Sequence, residues 1–215
     1  MHLVLMLALT VTTGINDAVG YLGLDKVFTG NMTGNVVVLG MALAGGSGLP
    51  VLGPALALFG YVAGAAVGGR AMRYAGTGWT RLVTVGFGTV AAIMLTLGTV
   101  LLLVDHPSHD TMVAVTTCAA VAMGIQATTA RHVAVADVTT VVVTSTLTGL
   151  AADPFLGEHR KRAVRRFGAV ALILLGAFIG ALLLKVTLGL GLAVAGVVIA
   201  LVTTIGHLTG PAARV

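Results

Sequence analysis

Apolar residues run along this chain in long unbroken blocks, without the alternation of a strand or the polar stripe of a soluble helix. Six blocks, at 1–24, 50–70, 82–104, 111–130, 164–184 and 187–207, carry the pattern. Each holds about 20 residues, enough for a helix to cross a hydrocarbon core of roughly 30 Å. The block at 1–24 lacks a charged lead and a clear small-residue cleavage site, so it reads as a retained span rather than a signal peptide. Two further segments, 28–45 and 135–152, are shorter or more polar. The first contains Thr29, Asn31, Thr33 and Asn35; the second contains Asp137, Thr139, Thr140, Thr144, Ser145, Thr146 and Thr148. A lipid-facing span does not carry such a set.

Composition makes the membrane reading firm. Of 215 residues 57% are hydrophobic and 9% charged, against roughly 25% charged in an ordinary soluble domain. The mean hydropathy is +1.05. Nineteen charged residues cannot cover a water-soluble fold of this size, which excludes a soluble enzyme, a nucleic-acid-binding domain and a disordered chain. A single cysteine, Cys118, excludes an internal disulfide framework and an all-cysteine metal site.

Charge placement then sets the topology. With the N-terminus inside, six blocks crossing and both polar segments returning to their own side, Arg70, Arg73, Arg81, Arg131, Arg160, Lys161, Arg162, Arg165, Arg166 and Arg214 fall inside. Only Lys26 and Lys185 fall outside. If both polar segments crossed, the basic run 160–166 would lie outside, against the positive-inside bias. The chain is thus expected to be an all-α polytopic membrane protein with six transmembrane helices and two re-entrant half-helix segments, 28–45 and 135–152. Its lipid partner is the bilayer, and its short tail at 208–215 is cytoplasmic.

The chain also repeats itself. Gly14-Ile15-Asn16 corresponds to Gly124-Ile125-Gln126, and Asn31-Met32-Thr33-Gly34 to Asp137-Val138-Thr139-Thr140. Gly60 and Gly64 correspond to Gly176 and Gly180, and Thr84-Val85-Gly86-Phe87-Gly88 to Thr187-Leu188-Gly189-Leu190-Gly191. Four matches in order define halves at 1–105 and 110–207. Each half has three crossing helices, an odd number, so the second is expected to be inverted relative to the first. Inverted repeats with interrupted helices are a plan of transporters and channels, with the site near the midplane.

Candidate chemistry gathers in the polar segments. Asn and Asp are strong helix N-caps, so short helices are expected to start near Asn31 and Asp137. Their free N–H groups would face the bilayer centre and offer a site for an anion or a polar solute. Asp17, beside Asn16, is a carboxylate inside an apolar block, where it would carry a proton, bind a cation, or sit at the interface, paired with Lys26 or exposed to water. The pore is expected to be lined by Asn16, Asp17, Asn31, Thr33, Asn35, Gln126, Asp137, Thr139 and Thr144. Arg131 and His132 read as cytoplasmic anchors. Gly60, Gly64 and Gly68 form a small-residue stripe for close helix approach, between the repeats or against a second copy in a homodimer.

An enzyme is not expected. His106 and His109 lie near Asp105 and Asp110, but no helical H-E-x-x-H or His/Cys cluster accompanies them. Ser145 with His132 lacks a nucleophile turn. No residue pattern calls for a metal or another cofactor.

The stretch Gly14 to Gly40, with Asp17, Phe28 and Asn31-Met32-Thr33-Gly34-Asn35, resembles the first signature of the YoaK-type small integral membrane proteins. Met123-Gly124-Ile125-Gln126 through Asp137 to Thr144-Ser145-Thr146-Leu147-Thr148-Gly149 and Asp153 resembles that family's second signature. The resemblance implies a bacterial, six-span protein of the inner membrane, and that family is itself of unknown function.

Taken together, these features point to a small transporter or channel for a polar or ionic solute, with a membrane scaffold or assembly partner as the competing class. Topology has a direct test. With Cys118 replaced, single cysteines at Ser47 and Glu158 should react with an impermeant thiol reagent from opposite sides of the membrane. Reaction from the same side would defeat the arrangement.

Overall fold

The computed structural model describes residues 2–46, 48–133, 148 and 158–210. Among them are seven helices and no strand: α1 (His2–Gly23), α2 (Met32–Leu43), α3 (Leu52–Met72), α4 (Arg81–Leu103), α5 (His109–Val133), α6 (Glu158–Leu184) and α7 (Leu190–Thr209). Six are long and apolar enough to cross a membrane, and the short apolar α2 is the seventh. The six blocks of the sequence are these six spans. One boundary moves: the basic run 160–166, expected as a loop, is helical from Glu158 onward. Arg and Lys are good helix formers, and no Gly or Pro interrupts the chain until Gly168.

Three tight pairings hold the bundle together, and glycine makes each of them. On α3, Gly60, Gly64 and Gly68 lie against Thr117, Val121 and Ile125 of α5 in ascending order, so the two helices run parallel. On α6, Gly176 and Gly180 lie against Val11 and Ile15 of α1, again in parallel. The third pair is antiparallel, with Leu95 and Gly98 of α4 beside Gly196 and Ala193 of α7, and Leu102 beside Gly189 at the α7 N-cap. Side chains at these glycines would collide with the neighbouring backbone. Without a hydrophobic drive between helices in lipid, such close backbone approach supplies much of the attraction. The Gly60–Gly68 stripe is thereby filled within one chain and leaves no face there for a second copy.

The contacts of the two pairings can be set beside the sequence match. Val121 lies on Gly64 as Val11 lies on Gly176, and Ile125 lies on Gly68 as Ile15 lies on Gly180. Gly64 and Gly68 thus take the places against α5 that Gly176 and Gly180 take against α1, one turn on from the Gly60 and Gly64 of the sequence match. A slide of one helical turn keeps a G-x-x-x-G pattern on the same face, so the sequence alone fits both registers.

Contacts at the helix ends give the directions of travel. Lys26 Nζ donates to the carbonyl of Gly48, 2.8 Å away, so the segment carrying α2 leaves and returns at one end of the bundle. Asp25 at that end lies 3.8 Å from His109, the first residue of α5. Burial pushes the Asp25 carboxyl above its ordinary range, while His109 and Lys26 pull it back. Because α3 and α5 both descend from this end and α6 rises parallel to α1, α5 ends and α6 begins at the opposite end. The second polar segment, 135–152, lies outside the described residues, apart from Thr148.

At that opposite end Trp79 is fully buried, its ring against Gly206 and 5.5 Å from Phe87. Its indole N–H donates to Thr84 Oγ1 at 3.1 Å. The core continues through Phe87, Met94, Leu9, Met123, Leu192 and Ile199. Outward faces carry Phe59, Val67, Leu174 and Phe178 in the open, as lipid contact requires.

Gly64→Leu and Gly176→Leu should each lower the melting temperature of the purified protein, at a cost of about 1–3 kcal/mol for overpacking. Gly88→Leu, where an added Cβ meets nothing within 4 Å, should leave it nearly unchanged. Equal effects at all three positions would contradict the backbone contacts.

Candidate functional site

The first polar segment is a corner, and its local sequence explains its shape. Asn31 caps α2, its side-chain oxygen accepting from the Gly34 amide at 3.2 Å. The helix start expected near Asn31 is thus present. Asn35, buried one turn into α2, reaches back to the loop: its Nδ2 donates to the Phe28 carbonyl at 2.6 Å, and its Oδ1 accepts from the Phe28 amide at 2.8 Å. The Phe28 ring stacks on Tyr21 with centroids 4.7 Å apart, and a Cβ at Gly34 would lie 2.7 Å from that ring. Phe28, Asn31, Gly34 and Asn35 therefore make one knot that turns the chain into α2.

Asp17 of α1 anchors this corner from below. Its Oδ1 accepts from the Gly30 amide at 2.7 Å, the Asn31 amide at 3.3 Å and the Thr29 hydroxyl at 3.5 Å. Asp17 lies six residues before the end of α1, about 9 Å along the axis. The start of α2 is thus held well inside the depth of α1. Lys26 is not its partner, since that ammonium is engaged by Gly48.

Beside Asp17, α1 crosses α5 through a matched pair of amides. Asn16 Nδ2 donates to Met123 Sδ at 3.4 Å, and Gln126 Nε2 donates to Thr13 Oγ1 at 3.4 Å. Asn16 corresponds to Gln126 in the sequence match, and Thr13 stands to Asn16 as Met123 stands to Gln126. All four residues are buried. The carbonyl oxygens Asn16 Oδ1 and Gln126 Oε1 have no hydrogen-bond partner among the described residues. Buried polar atoms in such a setting are ordinarily satisfied, so the crossing is short of two donors.

Of the sequence candidates, Asn16, Asp17 and Gln126 come together here, with the Asn31 amide at the edge. Asn35 is buried but engaged in the corner, and the Thr33 and Asn31 side chains are exposed. Asp137, Thr139 and Thr144 lie outside the described residues. Thr13, Thr29, Gly30 and Met123 belong to the cluster and were not among the candidates. Thr13 and Met123 were accessible by spacing, each lying one turn before an amide on the same helix face. His132 bonds the Gly76 carbonyl at 2.9 Å, which ties the end of α5 to the α3–α4 loop and suits an anchor.

Comparison with known proteins places the chain. The family described as "Protein of unknown function (DUF1275)" matches residues 5–205. The "UPF0700 transmembrane protein YoaK" of Bacillus subtilis (strain 168) is 32% identical over 188 residues, covering 83% of this chain and 82% of that protein. No solved structure matches. The chain belongs to this uncharacterised family of membrane proteins, as its two signature stretches had implied.

Asn35→Ala should destabilise the fold by about 1–3 kcal/mol, because it strips both backbone groups of Phe28 of their partners. Thr33→Ala, on the exposed side of the same helix, should change the melting temperature little. A larger effect at Thr33 than at Asn35 would refute the corner as described.

Proposed function

We propose that this protein is a small transporter or channel of the bacterial inner membrane, moving a polar or ionic solute between two inverted halves. The observation that carries this reading is the α1–α5 crossing, where two buried amides each reach across to the other helix with carbonyl oxygens that have no partner among the described residues. Intramembrane polar residues are rare, and they mark solute pathways more often than lipid-facing surfaces. Amides that only tied the helices together would use their oxygens as well as their NH2 groups.

The helix pairings support the inverted repeat. Exchanging 1–105 with 110–207 turns the pairing of α1 with α6 into that of α5 with α3. It turns the contact of α1 with α7 into that of α5 with α4. The α4–α7 pair and the α1–α5 crossing map onto themselves. The crossing therefore lies on the pseudo-two-fold axis, where transporters built of inverted repeats keep their site. The short helix α2, starting at the depth of Asp17 and returning to its own side, fits a re-entrant half-helix. By the same symmetry segment 135–152 would enter from the other side.

Reconstituted in liposomes, the protein should take up at least one solute from a panel of inorganic ions, nucleobases, amino acids and small organic acids. Asn16→Leu and Gln126→Leu should each cut that initial rate by about tenfold or more, the equivalent of about 1.4 kcal/mol, without loss of folded protein. Uptake that is indifferent to both substitutions would remove the site, and no uptake across the panel would favour a scaffold.

A further inference from the structure

We infer that the cluster at the α1–α5 crossing takes a small monovalent cation. This deepens the transport reading and rests on it for treating the crossing as a ligand site rather than a structural knot. The argument begins with the orientation of the two amides. Thr13 has one hydroxyl proton, and it goes to the Leu9 carbonyl at 3.0 Å. The Thr13 oxygen can then only accept, so Gln126 must present its NH2 group to it. The Met123 sulfur likewise can only accept from an amide, so Asn16 must present its NH2 group there. Reversing either amide would set two acceptors against each other. Both carbonyl oxygens are therefore turned away from these partners, fully buried and short of a positive or donating group.

A carboxylate borders the Thr13 and Met123 side chains that these amides bond. Gly30 is lodged where an added Cβ would lie 3.1 Å from Met123 Cε, 3.3 Å from Thr13 Cγ2 and 3.5 Å from Asp17 Oδ1. The Asp17 carboxylate thus borders the same cluster and, among the described residues, is the one acidic side chain there. No described Lys or Arg reaches it: Arg70, Arg73, Arg81, Arg131 and Arg165 lie toward the opposite end of the bundle, and Lys185 follows α6. Lys26 is engaged outside.

An anion finds no welcome in this set. The N-terminus of α2, which would otherwise attract one, is already occupied by the Asp17 carboxylate. Acceptor oxygens around one negative charge suit a compact cation carrying one positive charge. Carbonyl and carboxylate oxygens are the ligands that alkali cations take, and ammonium would use the same oxygens as hydrogen-bond acceptors.

The test is thermal melting of the purified full chain in N-methylglucamine chloride, titrated at constant ionic strength with lithium, sodium, potassium or ammonium chloride. At least one of these cations should raise the melting temperature in a saturable way, as a ligand of the native state does. Asn16→Leu and the volume-conserving Gln126→Met should each weaken that response by about tenfold. Asn35→Ala, though less stable, should keep it, which separates loss of the site from loss of stability. No response in the parent protein, or an equal response in both amide variants, overturns the cation site. Uptake of sodium-22 or rubidium-86 into liposomes separates the two readings. Cation binding without uptake keeps the site and defeats transport. Uptake of an anion or neutral solute that persists with N-methylglucamine as the only cation keeps transport and overturns the cation site.

Discussion

Hydrocarbon offers no hydrogen-bond partner, and most of this structure follows from that constraint. A polar group placed between the helices must be satisfied by the chain itself. The buried threonines comply by bonding the carbonyl one turn back, as Thr10 does to Met6, Thr129 to Ile125 and Thr203 to Ile199. The non-helical turn before α2 complies in a different way. Its amides at Gly30 and Asn31 go to Asp17, and both backbone groups of Phe28 go to Asn35. Irregular backbone at this depth is tolerable only because two side chains replace the missing helical partners. Against this accounting, the oxygens of Asn16 and Gln126, without a partner among the described residues, are conspicuous.

The same constraint explains which parts of the structure were legible in the sequence. A span must be an uninterrupted apolar run of fixed length, so the six helices could be read directly. A cap must be a small polar residue just before such a run, so Asn31 could be read as well. The partner of a glycine stripe could not. Gly60, Gly64 and Gly68 repeat every fourth residue, and a slide of one turn preserves the face while changing every contact. Nor could the role of Asn35 be read. An Asn within an apolar helix signals a pore or a loop anchor equally, and only the position of Phe28 decides between them. Trp79 was silent for another reason: a ring seated on Gly206 depends on a contact between α7 and the approach to α4, far apart in sequence.

Asp17 illustrates how one residue can serve both shape and charge. As an acceptor for three donors it fixes where α2 begins, and as a carboxylate it cancels the positive end of that helix. The helix terminus is then no longer free to draw an anion. A structural role and an electrostatic one need not compete here, because the geometry that holds the loop also decides the sign of the site.

The two halves differ where chemistry would be expected to act. Where α1 carries Asn16 and Asp17, the similar stretch of α5 carries the longer Gln126 and Ala127. A site with equal groups on either side of the crossing would present two carboxylates or none. Among the described residues the crossing carries a single carboxylate, Asp17 on α1, with one amide oxygen from α1 and one from α5. The negative charge described there is therefore offset toward α1. The cation we propose, drawn to that charge, would sit nearer the corner that carries α2 than the matching position on α5, so the anchor of the turn before α2 also gives the crossing its polarity.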